Sequence, residues 1–324
     1  MQRAFTFLDI CSGIGGGRLG LELAGMRCVG YCDTSRLSVK TYKLLHNAEN
    51  EPYFYNVRTI KTDRTPHYDV LIAGFPCQSF SVIGRKDGFN DSRGQIIFHI
   101  CRLLRETAPK AFILENVKGL VTHDKGRTLE IILSNLRDSG YRVIWQVLNS
   151  IEYGVPQMRQ RVYFIGFRKD LIENLGSFSW PEKEEKPPLA KYLIDNNLAA
   201  SDRLNILSYY LKNPTNNGKY EIKDLRTLEG MILDTRMNDL RIYKERCPTL
   251  RSQRDGILYV KHHEIYQLTG YEALLLQGFP KSYADRVKNV VSDRHLLMQA
   301  GNAMTVPVIK ALGEKVASFL ESHE

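Results

Sequence analysis

The sequence predicts an α/β chain built on an open, doubly wound sheet, followed by a small domain of different character. Three observations point there. Short apolar runs recur at 5–10, 28–32, 70–73 and 111–114, with the length and continuity of buried strands. Amphipathic helical patterns alternate with them. A charged, proline-rich stretch at 180–188 then breaks the pattern, and residues 189–255 are polar and lack the alternation.

Length and composition set the frame. A chain of 324 residues with 43% hydrophobic and 25% charged residues accommodates one large domain and a smaller one. No apolar run reaches the roughly 18 residues that span a bilayer. The N-terminus enters a strand-like run directly, without the apolar core of a secretory signal, so a cytoplasmic protein is expected. The six cysteines are scattered, with no second Cys or His pair at zinc spacing, and neither disulfides nor a metal are expected. The net charge of +9 suits a nucleic-acid partner.

The first strand runs into Cys11-Ser12-Gly13-Ile14-Gly15-Gly16-Gly17 and then a helical pattern over 19–24. Strand, glycine-rich turn and helix make the opening unit of a Rossmann-like sheet. Glycines let a ligand approach the backbone, and the helix N-terminus offers free N–H groups. Alone, the turn is equally a plain connection. The second strand ends at Asp33, about 20 residues on, where an acid holds ribose hydroxyls or caps the helix that follows. Asn56-Val57 closes a third strand.

The run 70–73 leads into Gly74-Phe75-Pro76-Cys77-Gln78-Ser79-Phe80-Ser81. Gly74 and Pro76 force a turn, which presents Cys77 at the carboxyl end of the strand, where ligands bind in open α/β sheets. Cys77 is an activated nucleophile or a small buried hydrophobe. The loop over 79–95 is long and polar, as lids and binding loops are, and carries Arg85, Lys86 and Arg93. A helix over 96–105 follows. The strand 111–114 ends at Glu115-Asn116-Val117, so Glu115 faces the same pocket as Cys77 if the two strands are neighbours; otherwise it is an exposed acid. A helix over 128–136 and strands over 141–148 and 161–167 complete this part. Alternation places Gln157, Arg159 and Arg161 on one face, either toward a site or on a solvated edge. Between Arg241 and Lys261, six basic residues (Arg241, Lys244, Arg246, Arg251, Arg254 and Lys261) face only Glu245 and Asp255, as a DNA-facing patch or a solvated face. A helix over 269–276, Gly301-Asn302-Ala303, and a final helix over 308–320 end the chain.

The order glycine turn, Pro-Cys-Gln, Glu-Asn-Val, Gln-x-Arg-x-Arg, variable segment and Gly-Asn resembles the C5-cytosine DNA methyltransferase family, over about 1–168 and 256–324. The resemblance implies an S-adenosylmethionine-dependent methyltransferase sheet at 1–168, a linker at 169–188, a target-recognition domain at 189–255, and a return to the catalytic domain at 256–324. It implies Cys77 as the nucleophile and Glu115 as the group gripping cytosine N3 and the 4-amino group. Arg159 and Arg161 stand beside them, with Arg161 on O2. The cofactor S-adenosyl-L-methionine falls to Asp9, Ser12, Gly13, Gly15, Gly16, Asp33, Asn56 and Asn302. Double-stranded DNA meets Arg85, Lys86, Arg93, Arg246, Arg251 and Arg254. A monomer is implied, with no metal and no membrane, and with a cognate restriction endonuclease as a partner by genetic pairing only. The sequence departs from the family at Cys11 and Gly17, where aromatics are usual, at Asp33, where the acid is usually Glu, and at Thr34, where a bulky residue often stacks on adenine.

The chemistry suits these residue types. Cytosine C5 is a poor nucleophile until a thiolate adds at C6, which splits one hard step into two. The ring atoms are inaccessible within a duplex, so the base must flip out. A tRNA methyltransferase of the same fold usually carries Pro-Pro-Cys-Gln and a Cys-Phe-Thr segment; here Phe75 precedes Pro76 and no Cys-Phe-Thr occurs. A catalytically inactive DNA-binding relative, suggested by Cys11 and Thr34, is opposed by the retention of Cys77, Glu115 and Arg161, and a nicotinamide-dependent oxidoreductase leaves Pro-Cys-Gln unexplained.

Overall fold

The computed structural model describes residues 4–76, 96–194, 199, 201–216, 218–235, 239–252 and 256–323, with 201 and 202 described by their backbone alone. Cys77, Arg85, Lys86, Arg93, Arg254 and the expected lid over 79–95 lie outside the described residues. The described residues form two compact units: 1–149 with 160–183 and 304–324, and 150–159 with 184–303.

The first unit is built on a seven-stranded sheet. Its strands are β1 (Thr6–Ile10), β2 (Arg27–Cys32), β3 (Tyr53–Phe54), β4 (Val70–Gly74), β5 (Ala111–Val117), β6 (Tyr141–Asn149) and β8 (Gln160–Arg168); β7 (Gln157–Met158) belongs to the second unit. The order is β3-β2-β1-β4-β5-β8-β6. β3, β2, β1, β4 and β5 pair in parallel, and β8 runs antiparallel to both β5 and β6. β1 is buried at every position and β4 at all but its last, because helices cover both faces. One face packs Leu8, Ile10, Leu71 and Leu114 with α3 (Ile96–Thr107) and α4 (Arg127–Asp138) in a single core. On the other face lie α1 (Gly16–Leu23) and α10 (Val306–Glu321). They approach closely: a Cβ on Gly20 would stand 2.5 Å from Ile309 Cβ, and one on Gly313 2.8 Å from Leu21 Cδ2. Between β2 and β3 lies α2 (Arg36–His46). The expected strands and helices fall within three residues of those found; the third strand stops at Phe54.

Asn56 does not close that strand; its side chain accepts from Arg58 N–H at 3.0 Å and caps a short 3-10 turn. Part of the expected linker is packed rather than free. The Phe178 ring lies 5.6 Å from Phe167 and 5.5 Å from Phe319.

The second unit carries α5 (Ser201–Leu211), α6 (Ile222–Leu225), β9 (Ile232–Asp234), β10 (Arg241–Tyr243), β11 (Cys247–Pro248), β12 (Ile257–Lys261) and β13 (Glu264–Gln267). A four-stranded antiparallel sheet, β10-β9-β12-β13, packs Leu233, Leu258 and Val260 against Leu207 and Leu211 of α5. β12 and β13 complete this sheet, so the compact unit runs past the boundary expected at 255. It continues through α7 (Gly270–Leu276), α8 (Lys281–Ala284) and α9 (Asp293–Asn302) to Ala303. A capping box fixes the start of α7: Thr269 Oγ1 accepts from Glu272 N–H, and the Glu272 carboxylate accepts from Thr269 N–H at 2.9 Å.

The close approach of α1 and α10 is testable. Gly20→Val forces its side chain into Ile309 and is expected to destabilise the fold by about 1–3 kcal/mol in denaturant unfolding. Unchanged stability would show that the two helices do not meet as described.

Candidate active site

Two side chains, those of Glu115 and Arg161, meet at the carboxyl edge of the sheet, and sheet register puts them there. β4 pairs with β5 so that Gly74 stands opposite Glu115. β8 returns antiparallel so that Arg161 stands opposite Val117. Glu115 is 8% exposed. Arg161 Nε lies 3.0 Å from Glu115 Oε1, within ion-pair distance. The angle falls short of a hydrogen bond, so Oε1 is a buried acceptor with no donor among the described residues. A carboxylate left in that condition is poised for a donor from a bound molecule.

Asn116, to which sequence reasoning gave no role of its own, fastens this edge. Its amide donates to Phe75 O at 2.9 Å, and its Oδ1 accepts from Val117 N–H at 2.8 Å. It ties the end of β5 to the backbone two residues before Cys77. Its place inside Glu-Asn-Val was the available signal.

The three residues that alternation aligned do not act together. Gln157 donates to Leu276 O at 2.9 Å and accepts from Leu250 N–H at 3.2 Å. Arg159 is buried, and its guanidinium donates to Leu250 O (3.0 Å), Gly301 O (3.1 Å) and Ala303 O (2.9 Å). Both residues brace the second unit, whereas Arg161 belongs to the sheet beside Glu115. The reason is that β7 and β8 are separate strands with Arg159 between them, so a two-residue period does not carry across.

The glycine turn follows β1. Gly13 and Gly15 have φ of 55° and 81°. A Cβ on Gly15 would lie 2.2 Å from His46 Nε2, and one on Gly16 2.3 Å from Met304 O, so neither position admits a side chain. Above Gly13 nothing among the described residues lies within 4 Å of a Cβ position, which leaves open space among them beside the turn. Asp33 Oδ2 accepts from Gly13 N–H and Oδ1 from Ser35 N–H, both at 2.8 Å. The cap of α2 is therefore Ser35, whose Oγ accepts from Ser38 N–H, and not Asp33. Burial raises the Asp33 carboxyl above its ordinary range, against the pull of the backbone N–H groups that bond it.

Asp9 lies under the turn with no exposed surface. Burial pushes its carboxyl up to about 8, with the Arg18 guanidinium opposing the shift. Tyr42 donates to it at 3.4 Å, and the Tyr42 ring stacks on Tyr31 at 4.1 Å. Arg18 is itself held by Glu22 at 2.8 Å and by Glu51 through both terminal nitrogens.

A nucleotide-bearing cofactor fits this edge on three counts. The turn is open above Gly13, Ser12 Oγ is buried with no partner among the described residues, and Asp33 keeps lone pairs beyond its two backbone bonds. Asn56 stands just past the carboxyl end of β3, and Asn302 is exposed at the end of α9. Among the described residues, no group of His, Cys, Asp and Glu could hold a metal ion, and no helix is long and apolar enough to cross a membrane.

The expected basic patch is smaller than its sequence suggests. Lys261 donates to Leu193 O at 3.0 Å, and Arg241 pairs with Asp239 at 3.4 Å. Lys244, Arg246 and Arg251 are exposed.

A doubly wound sheet with an open glycine turn and a buried carboxylate–arginine pair on the same edge defines a cofactor-dependent α/β enzyme. The family model for C-5 cytosine-specific DNA methylase matches residues 5–318, and the chain belongs to that family. It is 35% identical over 346 residues to the Type II methyltransferase M.HpaII of Haemophilus parainfluenzae, covering 99% of this chain and 91% of that one. It is 34% identical to the Type II methyltransferase M1.ScrFI of Lactococcus lactis subsp. cremoris, covering 99% and 80%. Among solved structures, the Entamoeba histolytica methyltransferase EhMeth superposes with a TM-score of 0.72 at 18% identity, covering 98% of this chain and 99% of that one, a likeness of fold. The family uses S-adenosylmethionine.

The buried carboxyl under the turn predicts a pH dependence. The folded value of Asp9 stands above its ordinary 3.8, so the stability it contributes is fully present below about pH 4 and is lost as pH rises through about 8. Asp9→Asn should remove this slope. The stability difference between wild type and variant, from urea unfolding at several pH values, should fall with rising pH by at most about 1.4 kcal/mol per unit. A difference that stays constant with pH would refute a carboxyl buried in this way.

Proposed function

We propose that this chain methylates cytosine C5 in double-stranded DNA, and that the target base, flipped from the duplex, is held at Glu115. The observation carrying this reading is the pairing of Gly74 with Glu115, which sets a buried carboxylate, its Oε1 without a hydrogen-bond donor among the described residues, beside the strand that leads to Cys77. The Cys77 thiolate adds to C6, and the ring electrons make C5 enamine-like. A protonated Glu115 donates to N3 while its other oxygen accepts from the 4-amino group. Arg161, already beside Glu115, donates to O2 and stabilises the charge that develops on the ring. S-adenosyl-L-methionine supplies an electrophilic methyl group when bound. After transfer to C5, a water takes the C5 proton, the C5=C6 bond re-forms and the thiolate leaves.

Ser12 and the turn of Gly13, Gly15 and Gly16 bind the cofactor, Asp33 its ribose, Asn56 its adenine, and Asn302 adds a contact. Asp9 supports the turn from beneath. Arg159 acts by holding Leu250 and the Gly301–Ala303 carbonyls in place. Arg85, Lys86 and Arg93 of the 79–95 loop, together with Arg246, Arg251 and Arg254, meet DNA phosphates. The Type II naming of the relatives supports a modification role, for which an endonuclease reading the same site is the counterpart.

The deciding experiment is expression in a bacterium lacking cytosine methylation, followed by conversion sequencing of its DNA. Methylated cytosines in one short context are expected with wild type and none with Cys77→Ala. Absence of methylation from the wild type overturns the reading. Glu115→Gln should slow methyl transfer by about 10²–10⁴-fold while DNA affinity stays within a few-fold. Separately, Arg251→Ala should reduce the salt slope of DNA binding by about one, measured as log affinity against log salt; an unchanged slope removes Arg251 from the phosphate contacts.

A further inference from the structure

The strand order reverses between β1 and β4. In a doubly wound sheet, the crevice outside the carboxyl ends at such a reversal is where a ligand lies. Three glycines border it here: Gly16 and Gly17 open α1, and Gly74 ends β4. Met304, two residues before α10, packs against all three, with its backbone carbonyl on Gly16 and its side chain on Gly17 and Gly74. A Cβ on Gly17 would stand 3.3 Å from Met304 Sδ and 3.4 Å from Cε. A Cβ on Gly74 would stand 3.0 Å from Met304 Cε and 3.7 Å from Glu115 Oε2. Met304 is 6% exposed. Its terminal methyl therefore lies buried between Gly17 and Gly74, and the Glu115 carboxylate borders the same Gly74.

We infer that Met304 is a specificity-determining residue of the methyl-donor site, its thioether packing beneath the substituent on the cofactor sulfur and limiting that substituent to a methyl. The inference rests on the methyltransferase reading above. A group carried from the glycine turn to a cytosine at Glu115 crosses the space over Met304 Cε. The thioether is unbranched and polarisable, so it fills an irregular gap closely. The gap cannot widen toward Gly17, because Ile72 Cδ1 stands 3.0 Å from the Gly17 Cβ position. A packed wall of this kind discriminates one methylene by roughly 10- to 200-fold.

The test is calorimetric binding to wild type, Met304→Ala, Met304→Val and Met304→Leu. The ligands are S-adenosylmethionine, its S-ethyl homologue, and S-adenosylhomocysteine, which carries no substituent on sulfur. Wild type should bind the S-methyl compound at least about 10-fold more tightly than the S-ethyl one. Met304→Ala should bring that ratio to about 3 or less, with S-adenosylhomocysteine affinity changed by no more than about 3-fold. Met304→Val, which withdraws Sδ and Cε without emptying the core, should do the same if the alanine variant fails to fold. Met304→Leu, which keeps the volume, should keep the ratio. A wild type that does not discriminate, or a shortened variant that binds S-adenosylhomocysteine with the ratio unchanged, overturns the inference. Failure of wild type to bind any of the three overturns the methyltransferase reading with it.

Discussion

The parallel pairing of β4 with β5 is the constraint on which the candidate site depends. Its register sets Gly74 opposite Glu115, so the strand leading to Cys77 and the strand bearing the carboxylate end together. Two consequences follow from that one alignment. Asn116, the residue after Glu115, reaches across to Phe75 O and ties down the backbone two residues before Cys77. β8, the strand that opposes the direction of its neighbours, begins at this edge and brings Arg161 to Glu115. A β8 parallel to β5 would begin at the opposite end, and the ion pair could not form.

The glycine turn is governed by a second constraint, the lack of room around it. Gly15 abuts His46, Gly16 abuts the Met304 carbonyl, and Gly17 and Gly74 leave the volume that the Met304 side chain fills. Beneath the turn, Asp9 is sealed from water, and its carboxyl rises to about 8 because burial outweighs the attraction of Arg18. Asp33 holds the turn from the side through Gly13 N–H. The turn is thus fixed by backbone contacts and buried acids, and its open surface lies above Gly13.

The second unit is organised around a different kind of contact. A single buried guanidinium, that of Arg159, gathers carbonyls from Leu250, Gly301 and Ala303. These include carbonyls from the end of α9, which have no helical partner of their own. Gly301 permits the arrangement, since a Cβ there would lie 2.4 Å from the backbone of Arg251. The exposed Arg251 therefore has its backbone packed against Gly301.

Much of this was legible in the chain itself. Continuous apolar runs gave the parallel strands, because a strand buried on both faces has no polar side to interrupt it. The glycine turn, Pro-Cys-Gln and Glu-Asn-Val stood in order with their spacing, and family membership followed from them. Other features depended on partners distant in sequence. Nothing local to Asp33 says that it bonds Gly13 rather than capping α2, nor that Lys261 spends its charge on Leu193 O. The split of Gln157 and Arg159 from Arg161 arises where one strand pairing ends and another begins. The end of the second unit was hidden because β12 pairs with β9 across a stretch without pattern. What the sequence alone determined was the chemistry available, since residue type and order are local properties. Tertiary structure decided which groups touch: that Glu115 meets Arg161, that Arg159 serves carbonyls, and that Met304 packs between Gly17 and Gly74. Those contacts are set by strand register and helix approach, which short-range patterns do not encode.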